Sequence, residues 1–137
     1  MKYFIDTNVL IYANDARDPN KQNQAIQLVS QLMRDDTGVL STQVMQEYAH
    51  VALSKLGQRQ DVVIRQLFIL ETFQVIGQTP ELIRRAIEIR SAYCIGFWDA
   101  CIISAAEKAG CATIYSEDLN AGQFYSGIIV QNPFRVP

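Results

Sequence analysis

The sequence predicts an α/β protein, with a three-layer α/β/α domain built around a parallel sheet of roughly five strands. Three observations lead to this prediction. Short apolar runs alternate with longer segments of helical periodicity along the chain. The first apolar run shows no alternation of apolar and polar residues, which indicates a strand buried on both faces. The chain has 137 residues, the length of a single domain, and strands that alternate with helices form parallel sheets covered on both faces.

The strands are predicted at five short apolar segments, and polar residues follow several of them. These segments are residues 3–5, 38–40, 73–76, 113–115 and 128–130. In open parallel sheets, functional sites form beyond the carboxyl ends of the strands. Polar side chains that directly follow a strand are therefore the first candidates for function.

The helices between these strands have recognisable ends. Asp18-Pro19 and Thr79-Pro80 each combine a capping residue with Pro at the first helical position, so each predicts the start of a helix. Ser41 or Thr42 is expected to cap a helix that Gly57 closes. Two more helices are predicted over residues 62–71 and 97–109.

Composition and charge restrict the classes of function. Apolar residues make up 49% of the chain and charged residues 19%, which is typical of a folded globular domain. The net charge of −2 gives no bulk attraction to a polyanion, so a nucleic-acid substrate would need a local basic patch. Three cysteines without C-x-x-C spacing favour a reducing compartment. With no signal-peptide pattern and no apolar segment of about 20 residues, we expect a soluble, cytoplasmic protein and no membrane association.

Four carboxylates stand in unusual positions in this pattern. Asp6 and Asp118 each follow a predicted strand, Glu47 lies one turn into a mostly apolar helix, and Asp99 lies at the start of another. Taken singly, each has an ordinary explanation as a cap, a turn residue or an exposed helix residue. Taken together, all four are placed to converge on one edge of the sheet.

Such a cluster needs a counter-ion. Two like charges about 5 Å apart repel by roughly 3 kcal/mol at an effective dielectric constant near 20. Oxygen ligands suit a hard cation such as Mg²⁺ or Mn²⁺. Zinc is disfavoured because no Cys/His spacing offers tetrahedral ligands, and a metal-free ribonuclease with two histidines is disfavoured because His50 is the single histidine.

Four segments in this order resemble the PIN-domain nucleases, and most of all the VapC-type toxins of bacterial toxin–antitoxin pairs. The segments are FIDTNVLIY, STQVMQEY, FWDACIISAA and YSEDLNAGQ…GIIVQNPF, and the resemblance extends over essentially the whole chain as one PIN-like domain, residues 1–137. It implies a Mg²⁺- or Mn²⁺-dependent endoribonuclease that acts on RNA. It also implies a small antitoxin as partner and a homodimer.

The resemblance implies roles for individual residues. Asp6, Glu47, Asp99 and Asp118 match the catalytic acids of the metal site, and among these four we expect Asp6 and Asp99 to be the direct ligands. Ser116 matches the hydroxyl residue of the last motif, and Asn8 matches the polar residue that braces the first acid. Gly96 departs from the family, which often has serine there, and altered capping of the following helix is expected.

Three further residues are candidates for substrate binding, each with an ordinary alternative. Trp98 could stack on a base, although an aromatic at a helix start is more often a core or dimer contact. Arg84 and Arg85 could bind phosphate, although the polar face of a helix is more often solvated.

Two other classes of function remain open: a nuclease acting on DNA or structured junctions, and an inactive regulatory or interaction module.

Overall fold

The computed structural model describes residues 1–135 of the chain, and its helices and strands alternate as predicted. In chain order the elements are β1 (Tyr3–Ile5), α1 (Thr7–Ala13), α2 (Pro19–Asp35), β2 (Gly38–Ser41), α3 (Thr42–Ser54), α4 (Gln60–Leu70), β3 (Gln74–Ile76), α5 (Pro80–Tyr93), α6 (Phe97–Ala109), β4 (Thr113–Tyr115), β5 (Phe124–Tyr125) and β6 (Ile128–Gln131). The five predicted strands are β1, β2, β3, β4 and β6.

The strands form one sheet in the order β3-β2-β1-β4-β6-β5, with β1 near its centre. The first five strands of this order run parallel, which confirms the predicted α/β fold class. From β1 the chain builds outward to β2 and β3, and then crosses back to place β4 on the other side of β1. This reversal makes the space beyond the carboxyl ends of β1 and β4 the topological switch point of the sheet.

The helices cover both faces of the sheet. Right-handed crossovers place α1 to α4 on one face and α5 and α6 on the other. The contacts agree, because α1 packs on α2 and α3, α3 packs on α4, and α5 packs on α6. Helix α6 is the most deeply buried, with an unbroken run of buried residues from Ala100 to Ala106. The result is the predicted three-layer arrangement.

The sheet has one strand more than the sequence predicted. Strand β5 pairs antiparallel with β6 through a two-residue turn at Ser126 and Gly127. Both turn residues have positive φ, 51° and 80°, as a type I′ hairpin requires. A strand of two residues is too short to produce a recognisable apolar pattern, which explains why it was not predicted.

Helix α1 is also an addition to the predicted elements. Its segment TNVLIYA is too short and too uniformly apolar to show a helical period. It begins because the side chain of Asp6 caps it, with the amide N–H of Thr7 donating to Asp6 Oδ1 at 2.7 Å. Elsewhere the helix starts at Pro19 and Pro80 are confirmed, whereas α3 ends at Ser54, before Gly57.

The core requires one close approach between backbone and side chain, at Gly38. A Cβ atom built on this glycine would lie 2.4 Å from the ring of Phe73, which is itself buried. Residue 38 therefore has to be glycine for β2 to pack under that ring.

The two buried cysteines, Cys101 and Cys111, are free thiols within this core. In the described part of the chain, no helix is long and apolar enough to cross a bilayer.

Candidate active site at the carboxyl edge of the sheet

Asp6 is fixed at the switch point by the end of β4 and by the start of α1. Its amide N–H donates to the carbonyl of Tyr115 at the end of β4, at 2.9 Å. Its two carboxylate oxygens accept from the amide of Thr7 and from the hydroxyl of Ser116, each at 2.7 Å. Asp6 is only 6% exposed, so the chain holds a nearly buried carboxylate where β1 gives way to α1.

Ser116 connects the two strand ends. It is fully buried, and its Oγ donates to Asp6 while it accepts from the amides of Asp118 and Leu119 at 3.1 and 3.3 Å. These contacts shape the loop after β4 and fix the carboxylate of Asp6 at the same time. The backbone after β4 therefore cannot shift without disturbing Asp6.

Asn8, one residue into α1, holds the other side of the same loop. Its Nδ2 donates to Asp118 Oδ2 at 3.0 Å, and its Oδ1 accepts from the amide of Glu117 at 3.1 Å. Thr7, the first residue of α1, makes a further contact: its hydroxyl donates to Glu47 Oε1 at 3.3 Å. The first residues of α1 thus contact two of the other predicted acids.

Asp99 reaches the same edge from the opposite face of the sheet. It lies in the first turn of α6, which Gly96 caps without a side-chain hydrogen bond. A Cβ atom on Gly96 would lie 4.0 Å from Asp99 Oδ2, an ordinary contact distance. With glycine at position 96, α6 starts without a capping hydroxyl next to Asp99. The space there would also accept the Cβ atom of a serine, so glycine is not required by a steric conflict.

Burial, together with the charges of neighbouring carboxylates, raises the pKa values of Asp6, Glu47 and Asp99. Burial raises the pKa of Asp6 to about 6, with smaller contributions from the charges of Asp118 and Glu47. Burial also raises the pKa of Glu47, and the charges of Asp99 and Asp118 add to the effect. The pKa of Asp99 is raised by burial and then by the charge of Asp118. The four acids therefore share one electrostatic environment.

The donor set fits a hard divalent cation, although the side chains do not form a finished ligand cage. Within residues 1–135, no three acidic, His or Cys side chains are grouped closely enough to hold a metal ion as they stand. Asp6, Glu47 and Asp118 instead accept hydrogen bonds from Ser116, Thr7 and Asn8, respectively. Mg²⁺ keeps several water ligands and needs only one or two direct carboxylates, so this looser arrangement is compatible with it.

A groove of about 390 Å³ lies beside the acids. Its walls come from α1, α3 and the loops after α1 and β4. The residues lining it are Thr7, Asn8, Ile11, Tyr12, Asp15, Arg17, Glu47, Val51, Lys55, Glu117 and Asp118. Acidic side chains thus share this groove with two cationic ones.

Sequence comparison decides the family. A family model of the PIN domain matches residues 3–125. The chain belongs to the PIN-domain family. No curated protein matches the sequence in a separate comparison.

Solved structures similar to this PIN domain include a toxin–antitoxin complex and a toxin. A Klebsiella pneumoniae toxin–antitoxin complex matches with a TM-score of 0.74 at 21% identity, over 98% of this chain and 100% of the other. FitAcB from Neisseria gonorrhoeae gives 0.73 at 21% identity, over 98% and 99%. Mycobacterium tuberculosis VapC20, described as a sarcin-ricin loop cleaving toxin, gives 0.67 at 20% identity, over 85% and 90%. At these identities the similarity establishes the fold.

The three predicted substrate-binding residues of the PIN domain lie in different surroundings. Trp98 is next to Asp99 and is 69% exposed, which excludes the alternative that it belongs to the core. Arg85 is paired with Glu107, with Nε donating to Oε1 at 2.8 Å. Glu107 lies eight residues beyond Asp99 on α6, about 12 Å along the helix axis. Arg84 and Arg85 are therefore not beside the acids.

One ion pair near the site was not predicted. Lys21 on α2 contacts Glu117 at 2.5 Å, and the hydroxyl of Tyr12 donates to the same carboxylate at 2.8 Å. The pair ties α2 to the loop that carries Asp118. No pattern in the sequence indicates it, because the two partners are separated by most of the chain.

Proposed function

We propose that this PIN domain is a metal-dependent endoribonuclease that hydrolyses RNA phosphodiester bonds and acts as the toxin of a toxin–antitoxin pair. The observation that carries the proposal is the nearly buried carboxylate of Asp6 at the switch point, with three more acids around it. Within residues 1–135, none of the four forms an ion pair. Mg²⁺, or Mn²⁺ in its place, would supply the missing positive charge.

Each acid has a role suggested by its surroundings. Asp6 and Asp99 would hold the metal directly, because they approach the same edge from β1 and from α6. Glu47 and Asp118 are more exposed and would hold its water ligands or a second ion. Ser116 and Asn8 would orient the acids, since Ser116 donates a hydrogen bond to Asp6 and Asn8 donates one to Asp118.

The chemistry requires few further groups from the protein. A bound divalent cation supplies a Lewis acid that activates water and neutralises charge developing on the phosphate. Ser116 keeps the carboxylate of Asp6 in one orientation, and Asn8 does the same for Asp118. Glu47 or Asp118 would accept the proton of the attacking water. The expected products carry a 5′-phosphate and a 3′-hydroxyl.

The test is an incubation of the protein with RNA and with DNA, in Mg²⁺, in Mn²⁺ or in EDTA. We expect cleavage of RNA that EDTA abolishes. Asp99→Asn should remain folded and lose this cleavage, because a neutral amide is a poor ligand for Mg²⁺. Asp36→Asn is the matched control, since Asp36 is exposed and its φ of 55° suits Asn equally well.

The outcomes distinguish the alternatives. Cleavage of DNA or of structured junctions in preference to RNA would replace the proposal with a different nuclease. Intact RNA and DNA at every metal concentration would favour an inactive regulatory module. Activity that survives EDTA, or that survives Asp99→Asn, would refute the metal assignment.

The partner belongs to the same proposal. Structural relatives of this chain include toxin–antitoxin complexes from Klebsiella pneumoniae and Rickettsia felis. On the same face of the sheet as α1, an apolar hollow of about 220 Å³ lies between α1, α2, α3 and α4. Leu10, Val29 and Ile69 contribute to its wall. A small antitoxin with an apolar anchor would fit there, and a cationic side chain of the antitoxin would neutralise the acids.

Co-expression tests the antitoxin. The protein is produced with the product of any small reading frame that precedes its own, and RNA cleavage is measured before and after proteolysis of that partner. We expect a complex that is inactive until the partner is removed, and inhibition that weakens as salt rises. A complex as active as the free protein would refute the antitoxin proposal and leave the nuclease intact.

A homodimer completes the proposal. Exposed apolar side chains on α5 and at the start of α6, among them Ile83, Ile87 and Trp98, are suited to contact a second copy. Light scattering should give twice the mass of one chain. A monomer at micromolar concentration, with full activity, would refute the dimer.

A further inference from the structure

The groove beside the acids is lined by acidic side chains in one part and by cationic side chains in another. Glu47 and Asp118, two of the proposed metal-site acids, line it beside the start of α1, where Thr7 and Asn8 contact them. Arg17, from the loop after α1, and Lys55, at the end of α3, line what we call its cationic end. Lys55 lies eight residues beyond Glu47, about 12 Å along the axis of α3. The catalytic role proposed for the acids makes no use of this cationic end.

Arg17 is held in a defined orientation. Its Nε donates to Asp15 Oδ1 at 2.9 Å, and its Nη2 donates to Asp15 Oδ2 at 2.7 Å. The side chain of Asp15 is 11% exposed, whereas that of Arg17 is 66% exposed. The nearly buried carboxylate of Asp15 thus accepts two hydrogen bonds from one edge of the Arg17 guanidinium. Nη1 of Arg17 has no hydrogen-bond partner within residues 1–135. A fixed, exposed guanidinium edge is suited to bind an oxyanion.

Lys55 adds a second cation at the same place. It is exposed, and its charge helps Arg17 to hold the pKa of Asp15 at about 2. Two cations and one carboxylate leave a net charge of +1 at this end of the groove. Lys21 does not line the groove, and it is already paired with Glu117, which does, so it adds no free positive charge there.

We propose that Arg17 and Lys55 form a subsite for a backbone phosphate of the RNA chain, next to the phosphate that is cleaved. The proposal rests on the nuclease function proposed above. A volume of about 390 Å³ matches the lower range of small-molecule sites, which is enough for about one nucleotide unit between the two ends. The subsite also supplies the local basic patch that a chain of net charge −2 requires.

The arginines on α5 are less suited to this role. Arg84 and Arg85 line a different hollow, whose other charged residues are Lys108, Glu81, Glu88 and Glu107. Arg85 is already engaged by Glu107, and Glu88 lies 3.9 Å from it. The three carboxylates there balance the three cations, whereas Arg17, Lys55 and Asp15 leave a net charge of +1 at their end of the groove.

The test measures the binding of a short, fluorescein-labelled single-stranded RNA of mixed sequence, in EDTA so that it is not cleaved. Anisotropy titrations between about 50 and 200 mM KCl give the slope of log Kd against log salt. Arg17→Gln and Lys55→Gln should each weaken binding by about two- to fivefold, equivalent to one exposed ion pair. Each should also lower the salt slope by about 0.7, the value for one phosphate contact on a single strand.

Arg59→Gln is the matched control. Arg59 grips Asp61 with the same two-point geometry, at 3.0 and 2.7 Å, but it does not line the groove. It should leave both Kd and the salt slope unchanged. In Mg²⁺, the two groove variants should raise KM for RNA cleavage and leave kcat within about twofold of the parent, as expected for uniform binding.

The results separate this inference from the function on which it rests. If the parent protein binds and cleaves RNA but Arg17→Gln and Lys55→Gln behave like it, the subsite is refuted and the nuclease stands. An equal loss in Arg59→Gln would show a bulk charge effect and would also refute it. A loss in Arg84→Gln alone would move the subsite to α5. A parent protein that neither binds nor cleaves RNA would refute both proposals. Arg17→Gln removes the ion pair with Asp15 and could disturb the fold there. Lys55 makes no side-chain hydrogen bond or ion pair within residues 1–135, so Lys55→Gln tests the subsite without that risk.

Discussion

Replacing Asp6 by Asn should make the metal-free protein more stable at neutral pH. In the folded protein, burial raises the pKa of Asp6 from 3.8 to about 6. The folded state therefore binds this proton more tightly than the unfolded state does. The free energy of unfolding is expected to fall as pH rises from about 4 to about 6, and to stay lowered above that range.

The size of the effect follows from the shift in pKa. A difference of 6 − 3.8, or about 2 pH units, corresponds to roughly 3 kcal/mol at 1.36 kcal/mol per unit. Asn has the shape of the protonated acid but does not titrate, so the free energy of unfolding of the variant should not fall with pH through this group. Asn must still replace the hydrogen bonds with Thr7 and Ser116, and this cost is the same at every pH. The pH-dependent part of the difference is therefore the quantity to measure.

The assay is urea unfolding in EDTA, at several pH values between 4 and 7. The stability of Asp6→Asn relative to the parent should increase by about 2.4 kcal/mol over this range, because the unfolded Asp is already partly ionised at pH 4. Asp36→Asn, at an exposed position, should show no such change with pH. Added Mg²⁺ should stabilise the parent by about 2.7 kcal/mol at a hundred times its Kd, and the Asp6 variant by much less.

Two results would contradict this reasoning. A difference between Asp6→Asn and the parent that is equal at pH 4 and pH 7 would mean that Asp6 does not titrate abnormally. A stability of the parent that is indifferent to millimolar Mg²⁺ and Mn²⁺ would mean that the four acids do not form a metal site.

Two further substitutions test the packing that supports the site. Gly38→Ala should cost about 1–3 kcal/mol in urea unfolding, because the added Cβ overlaps the ring of Phe73, whereas Gly77→Ala, with open space around it, should cost much less. Equal costs would contradict the close approach. Ser116→Ala should cost about 1–3 kcal/mol, because it leaves two amides without their acceptor, and it should weaken Mg²⁺ binding measured by calorimetry. Ser54→Ala, which removes an exposed hydrogen bond, should do neither, and unchanged Mg²⁺ affinity in Ser116→Ala would refute the orienting role of Ser116.

The sequence by itself determined the features that depend on neighbouring residues. The helix starts at Pro19 and Pro80 were predictable because a cap and a proline act on the adjacent turn. The alternation of apolar strands with helices was enough to predict the fold class, since parallel strands need crossover helices. Asp6 and Asp118 could be selected as candidates because each follows a strand.

Only the tertiary structure decided the features that depend on distant residues. Helix α1 and strand β5 are too short to be stable alone and form only where Asp6 and β6 provide their partners. Nothing in the local sequence indicates that Ser116 contacts Asp6, since hydrogen bonds between residues about a hundred positions apart leave no periodic signal. The meeting of Arg17 and Lys55 in one groove has the same origin: α1 and α3 pack together, and this packing brings the loop after α1 beside the end of α3.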